Sequence, residues 1–562
     1  MSGADDFDPP REVVLRFPGT AEPVAARDSE RLRQAAAAEL GVPLDALGEV
    51  RARRISFDAR RRHRDWRVAL DVWLSDERPS ARPPTEPPSI PAPPQHARHA
   101  VVIGSGPAGL FCALDLLAAG VRVTVVERGG DVQQRRRPLA ELNRGNGVDP
   151  ESNYCFGEGG AGTYSDGKLY NRSGSKRAVR EVLRTLVAHG ATPEILASWR
   201  PHIGSNKLPE VVRSIRESIR SAGGVVRFHT RAEELETREG HVCGVQVRDL
   251  LTDRLEPIAA DFVVLASGHS APDALQMAGR AGARLVPKGF ALGVRGEHPQ
   301  PMIDAHQYGG LREVQALPAA FYELVAQSED RGVYSFCMCP GGWIVPTTTA
   351  EDRVVVNGMS LSRRDSPFAN SGLVVQVEPE DWCGERGAAW GWRERCPELP
   401  PAPNTPEEDP LYGIRIQAAI ERRARELGAG RLRAPAMRID AFVEGARTAP
   451  DAIPTSYRPG VTPIDLRELL PPGVTERLRD GLDGFDRSIP GFVSEHGQLI
   501  GVETRTSSPV RLARSRETCE AEGLEGLYPA GEGAGYAGGI VSAALDGRRV
   551  AAAIAARVHP GA

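Results

Sequence analysis

No stretch of this sequence approaches the roughly 18–20 consecutive apolar residues that a membrane-spanning helix requires. Its opening, MSGADDFDPP, is acidic where a secretion signal would be basic and then apolar, so a cytoplasmic protein is the expectation. One-sided charge is also missing. The 70 Lys and Arg stand against 74 Asp and Glu, a formal charge of -4, so nothing global draws the chain to nucleic acid or to an anionic membrane. Cysteine is scarce: eight residues are scattered without a C-x-x-C pair or zinc-like spacing, which argues against a disulfide framework and a structural metal. What is present suffices to fold. A chain of 562 residues, 41% apolar and 26% charged, buries a sizeable core and divides into two or three domains.

Residues 12–74 read as a compact α+β unit of ferredoxin-like type. VVLRF alternates like a strand, residues 29–40 make an alanine-rich helix, and VRARRISF and WRVALDVWL supply two more strands. Residues 79–94 hold eight prolines, a composition that extends as polyproline II and packs no core. The module therefore spans 1–78 and a linker 79–97. From residue 98 the pattern becomes buried strand, glycine turn, helix and second strand, the opening of a doubly wound α/β sheet. ADFVVLA at 260–266 is another buried strand, after which strand-like runs alternate with Pro-rich loops such as PELPPAPNTPEEDP. We read 98–271 and 499–562 as two parts of one dinucleotide-binding domain, and 272–498 as an inserted substrate domain.

The strongest motif is VVIGSGPAGLFCALDLLAAGVRVTVVERG, in which Gly104, Gly106 and Gly109 form G-x-G-x-x-G between strand and helix. The first glycine permits the tight turn, the second admits a pyrophosphate to the backbone, and the third lets helix and strand pack closely, with Ser105, Pro107 and Ala108 between them. Glu127 ends the next strand and is placed to accept from adenosine ribose hydroxyls, with Arg128 beside it. Two further clusters favour FAD over NAD. In FGEGGAGTYSDGKLY (156–170), Gly159, Gly160, Ala161 and Gly162 expose backbone amides, with Thr163 and Ser165 as hydroxyl donors; the alternative is a flexible surface loop. In YPAGEGAGYAGGIVSAALDGRRVA, Gly531 and Glu532 follow a short strand, and Gly538, Gly539 and Ile540 open a helix. Glu532 is placed for a ribityl hydroxyl, and the helix N-terminus for the N1 and O2 edge of a flavin.

With these motifs the chain resembles a family of bacterial FAD-dependent dehydrogenases of glutathione-reductase fold, related to fumarate-reductase-type and aminoacetone-oxidase-like flavoproteins. RRISFDAR, PHIGSNKL, GHSAPDAL, ALGVRGEHPQ, RGVYSFCMCPGGWIVPTTT and GVETRTSSPVR carry the resemblance along nearly the whole chain. It implies an α/β glutathione-reductase-type FAD domain with an N-terminal accessory module, an oxidoreductase activity, and cofactor contacts at the glycine clusters, to which Ala232, Ser267 and Gly268 are added. It supplies no substrate. GGWIVPTTT and the Pro-rich stretch after Val377 depart from the commoner pattern.

A second strand, G-x-G-x-x-G and helix unit for a separate NAD(P)H domain is not visible, nor is a C-x-x-x-x-C redox pair. Cys337 and Cys339 are spaced i, i+2, which on a regular strand rarely allows an unstrained disulfide, so they read as packing thiols, with flavin-facing chemistry the minority alternative. Arg295 and His298 in GVRGEHPQ are candidates to bind an anionic substrate and move a proton, and Glu503 and Arg505 in GVETRTSSPVR lie just before the closing cluster. An internal ion-pair network explains these residues equally well. Lys168 either tunes a flavin or closes a loop, and His269 reads as structural. Residues 51–67 hold eight arginines and two aspartates; a docking surface suits them better than a nucleic-acid footprint centred on Arg60, Arg61 and Arg62. The leading expectation is hydride transfer between flavin N5 and a small organic substrate, with NAD(P)H, oxygen or quinone as diffusible partner. A flavin monooxygenase or oxidase, and a flavin-dependent nucleic-acid modifier, are the alternatives.

Overall fold

A computed structural model of the chain describes residues 7–18, 29–59, 65–169, 175–309, 317–446 and 451–560. Arg60, Arg61, Arg62 and Tyr170 lie outside the described residues.

The N-terminal module consists of β1 (Arg11–Pro18), α1 (Ser29–Leu40), β2 (Leu47–Asp58) and β3 (Asp65–Leu74), with sheet order β1-β3-β2. In β1 the residues Val13, Leu15 and Phe17 are buried and their neighbours exposed, the period-2 signature of a sheet with one wet face. The edge strand β2 docks on the next domain. Ile55 N donates to Ala197 O at 2.7 Å, Trp199 N donates back to Ile55 O at 3.1 Å, and the Arg54 guanidinium lies over the Trp199 ring. Phe57 meets Trp66 edge-on and Tyr308 at 5.7 Å. The arginine-rich strand is thus a docking edge, and Arg51 and Arg53 are tied to Glu49 and Glu12 within the module. Ile55→Pro deletes one outward N–H from an edge strand. It is expected to cost about 1–3 kcal/mol of docking and to hasten proteolysis within 79–97, as followed by limited digestion.

The second unit is a parallel sheet, order β22-β10-β4-β5-β6, made of β4 (His99–Ile103), β5 (Arg122–Val126), β6 (Val225–Arg227), β10 (Phe262–Leu265) and β22 (Leu527–Pro529). Its central strands read VVI and VVL because both faces are covered. Helix α2 (Pro107–Ala118) packs on the closing helix Ile540–Val558, and a Cβ at Gly547 would strike the Ala108 backbone. An antiparallel sheet of β7 (Thr230–Arg238), β8 (His241–Asp249) and β9 (Arg254–Ala259) sits between β6 and β10 in the chain.

The third unit is a seven-stranded sheet, order β13-β14-β17-β12-β20-β18-β19. Its strands are β12 (Phe290–Pro299), β13 (Val325–Ser328), β14 (Arg331–Cys339), β17 (Phe368–Val377), β18 (Ala434–Arg438), β19 (Val461–Pro463) and β20 (Gln498–Glu503), while β15 (Trp343–Pro346) and β16 (Val356–Met359) form a separate antiparallel pair. The chain enters and leaves this unit through the antiparallel pair β11 (Leu285–Pro287) and β21 (Val510–Leu512). Two boundaries therefore move from the sequence reading. The helix Pro272–Arg280 packs against β7 and stays with the parallel-sheet unit. Strand β20 pairs with β12 and β18 in the inserted sheet rather than beginning the return to the parallel one. The G-x-G-x-x-G pattern also recurs, at 157–162 and 533–538, the second between β22 and the closing helix. Neither marks another nucleotide domain, because among the described residues there is one parallel sheet.

Candidate functional site

The C-terminal ends of β4, β5, β10 and β22 open on a cleft of about 680 Å³, where an open parallel sheet presents ligands to its loops and helix N-termini. Three glycine-dense turns meet there. Gly104, Gly106, Pro107 and Ala108 border it from the first, Gly160, Ala161, Gly162 and Ser165 from the second, and Gly531, Glu532, Gly538, Gly539 and Ile540 from the third. Arg128, Ala232, Ser267 and Gly268 border it as well.

The turns are built to keep side chains away. Gly104 has φ +104° and a Cβ there would collide with the Ala266 carbonyl. Gly106, Gly268, Gly538 and Gly539 have nothing within 4 Å of a virtual Cβ, so their backbones face open space. Gly106 caps α2 and Gly539 caps the closing helix, neither with a side-chain hydrogen bond. Two long helices thus bring unsatisfied N–H groups and positive dipole ends to one cleft, the requirement for holding a pyrophosphate or an electron-rich ring edge. These residues fit FAD.

Four of the expected cofactor contacts stand behind the surface instead. Ser105 donates from N and Oγ to Glu127 at 3.0 and 2.7 Å. Thr163 Oγ1 donates to Glu158 O at 2.9 Å, a Cβ on Gly109 would strike Gly104 O, and Gly159 makes a left-handed turn at φ +78°. They shape the loops and do not line the cleft. Glu127 does line it, yet it also accepts from Gly129 N at 3.0 Å and Gly157 N at 2.9 Å. With four acceptor positions engaged, it is a clasp joining three loops before it is a ribose acceptor.

The opposite wall comes from β14 and the segment before β13. Lys168 ends the second glycine loop and reaches this wall: its Nζ lies 3.4 Å from Cys337 Sγ, 3.6 Å from Cys339 Sγ and 3.9 Å from Asp166. Arg364 donates to Asp166 at 2.6 Å and Ser360 Oγ also bonds it. Against the cost of burial, Lys168 and Arg364 hold the Asp166 carboxyl below its ordinary value.

The remaining catalytic candidates separate. Arg505 lines the cleft but is committed to Glu421 at 2.8 Å. Arg295 and Glu503 lie one layer beneath the wall, 0% and 2% exposed, paired at 2.9 Å. Arg295 also donates to Asn370 Oδ1 at 2.9 Å and to Cys337 O at 2.7 Å. The internal ion-pair network is therefore the arrangement found. Burial pushes the Glu503 carboxyl up to about 7, with Arg295 opposing. His298 is not part of the cleft. It is fully buried, bonded through Nε2 to Phe492 O at 2.9 Å and packed on the Phe492 ring, because residues 295 and 298 project from opposite faces of β12. The imidazole that lines the cleft is His269, which had read as structural; its Nδ1 is 3.5 Å from Glu532 Oε1. Cys337 lines the cleft too.

Sequence reasoning missed the aromatic and cationic mouth. Arg200 lies 3.7 Å over the Phe321 ring and 4.9 Å over Trp199, and Phe336 is 38% exposed. The adjoining Trp199 and Arg200 were the available signal, but nothing local connects them with Phe321.

Two family models match the chain. Residues 98–292 match "Pyridine nucleotide-disulphide oxidoreductase" and residues 289–506 match "FAD-dependent protein, C-terminal domain-like". A Clostridium beijerinckii protein named "Uncharacterized protein" is 41% identical over 454 residues, which is 80% of this chain and 79% of that one. Among solved structures, a geranylgeranyl bacteriochlorophyll reductase-like protein from Thermoplasma acidophilum is 11% identical, covering 83% of this chain and 80% of its own, with a TM-score of 0.34. The glycerol-3-phosphate dehydrogenase of Bacillus halodurans complexed with FAD is 13% identical with a TM-score of 0.26. That match spans 50% of this chain and about half, 48%, of the dehydrogenase. At such TM-scores neither structure bears on the reaction.

Proposed function

This chain belongs to a family of FAD-dependent oxidoreductases, and from that premise we propose that it moves a hydride between flavin N5 and a small organic substrate held against β14. The reading adopts a glutathione-reductase-type FAD domain with the seven-stranded unit as its substrate domain and a ferredoxin-like module in front. FAD supplies the two-electron chemistry. The observation that carries the proposal is that the cleft does not end at the glycine turns but continues to a wall of different character, with Lys168, Cys337 and Tyr334 on it and Arg200, Phe321 and Phe336 toward its mouth.

Each wall then has its own task. Gly106, Gly160 and Gly538 present backbone to the cofactor, and Arg128, stacked 4.5 Å over Phe156, closes the side at the end of β5. Lys168 Nζ binds an anionic or carbonyl oxygen of the substrate and orients it, while Arg364 and Asp166 keep the ammonium in place. His269, beside Glu532, is the cleft's proton carrier. The apolar mouth excludes water from the bound pair. A diffusible partner, NAD(P)H, oxygen or quinone, exchanges electrons through the same opening.

Anaerobic addition of candidate organic substrates, or of NADH and NADPH, is expected to bleach the yellow flavin band. Lys168→Met should slow bleaching by an organic substrate about 100-fold or more, the loss of one charged contact worth roughly 3 kcal/mol, with FAD content unchanged. A cofactor that no organic substrate or nicotinamide reduces or reoxidises, while oxygen incorporation into substrate proceeds, would replace this reading with the monooxygenase one.

A further inference from the structure

Strand β14 is irregular at its end. Phe336 pairs with Gly372, but the next partner pair is Cys339 with Asn370, so one extra residue is accommodated between them. Cys337 takes up the irregularity at φ +46°, in the left-handed region, where a non-glycine residue is uncommon. Such a bulge re-aims side chains. Here Cys337 faces the cleft while Cys339, two residues on, is 0% exposed.

The two sulfurs share their surroundings. Lys168 Nζ lies within 3.6 Å of both, and Arg295 Nη2 lies 3.5 Å from Cys339 Sγ while holding the Cys337 carbonyl at 2.7 Å. The Cys339 thiol donates to the Cys337 carbonyl oxygen at 3.4 Å. We propose that Cys337 and Cys339 are a dithiol redox centre in the cleft wall, Cys337 the attacking sulfur and Cys339 the resolving one, exchanging with small disulfides.

The electrostatics divide the roles. The adjoining Cys339 thiol, then Lys168 and Arg295, hold Cys337 low against its burial, whereas the Cys337 sulfur and burial push Cys339 up. The Cys337 thiolate attacks one sulfur of the incoming disulfide, its S–S bond breaks, and one thiolate departs past the Lys168 ammonium. Cys339 then gives up its proton to that departing thiolate and attacks the Cys337 sulfur. The mixed S–S bond breaks and the second thiolate leaves. The pair has lost two electrons and the small disulfide has gained them. The bulge removes the regular-strand geometry that disfavours an i, i+2 bridge, and the residual strain of so small a ring keeps the bridge labile, as exchange requires. Access through the cleft alone restricts the partner to small molecules. This centre goes beyond the hydride-transfer reading and stands if that reading fails, because it is read on the thiols themselves.

The test uses the native holoprotein, equilibrated without oxygen in glutathione redox buffers, acid-quenched and alkylated with N-ethylmaleimide. Both cysteines fall on one tryptic peptide, residues 332–353. The expected result is passage of that peptide from two maleimide groups to none, with an internal bridge, while Cys155, which also lines the cleft, stays alkylated. Cys339→Ser should accumulate a glutathione adduct on Cys337, Cys337→Ser should accumulate none, and Lys168→Met should slow adduct formation about tenfold. Two free thiols in the wild type at every buffer ratio overturn the proposal. So does a bridge that forms with hydroperoxide but never with glutathione disulfide. The wild-type result decides even if a variant fails to fold.

Discussion

Gly106→Ala is expected to leave the apoprotein as stable as before and to weaken FAD binding by about 100-fold. At φ -71° Gly106 has a backbone that alanine adopts without strain, and a Cβ there meets nothing within 4 Å. Substitution at such a position stabilises a fold by about 0.4–1 kcal/mol if it does anything. The same methyl group stands where a pyrophosphate approaches the α2 N-terminus. Displacing it from one or two charge-assisted N–H contacts costs roughly 1.5–3 kcal/mol each, which is tenfold in affinity for every 1.4 kcal/mol. Gly106→Val should weaken binding further with the same apoprotein melting curve. Gly104→Ala separates the two effects. At φ +104°, against the Ala266 carbonyl, it should destabilise the apoprotein itself by about 1–3 kcal/mol. Fluorescence titration of FAD into apoprotein, beside thermal melts without FAD, measures both. Wild-type affinity in Gly106→Val would place the cofactor away from this turn.

That contrast shows why the glycine-lined side of the cleft is legible in sequence. Glycine turns act over a few residues, and each of the three announces itself by a strand before it or a helix after it. The opposite wall follows from pairings between residues far apart in the chain. Whether Arg295 faces a ligand or a buried acid depends on β12 lying between β17 and β20, whose partner residues stand some 75 and 208 positions away. Cys337 and Cys339 look like same-face neighbours until the register against β17 shows the bulge between them. The placement of β20 has the same origin. As the last strand before a glycine-rich segment it reads as the start of the return, and only its ladder with β12 assigns it to the inserted sheet. Arg295 and His298 were grouped because they sit in one short motif, although a spacing of three on a strand sends them to opposite faces.

Arg295→Ala is expected to be the most destabilising single change in the inserted unit, at about 3–5 kcal/mol, an apparent Tm loss on the order of 10 °C for a unit of this size. The residue supports several buried groups at once: Glu503, Asn370 and the Cys337 carbonyl. Gly358 and Gly372 are glycine because a Cβ at either would press on this pair. Removing the guanidinium strands a carboxylate that water cannot reach, and a larger penalty follows than from never having had the pair. Arg295→Met with Glu503→Leu should therefore recover part of the loss, though not the Asn370 and Cys337 contacts. The pH dependence has a definite sign. Glu503 titrates at about 7 in the fold against an ordinary 4.5, so the folded state binds this proton more tightly. The stability it contributes is fully present below pH 4.5 and is lost as pH rises through 7. In Arg295→Ala the protonated acid needs no partner, so the deficit should be smallest near pH 5 and grow toward pH 8, whereas Glu503→Gln should remove this dependence. Denaturant melts of the three proteins at pH 5 and 8 measure it; a deficit for Arg295→Ala that is equal at both pH values would mean that Glu503 is not the charge this arginine supports.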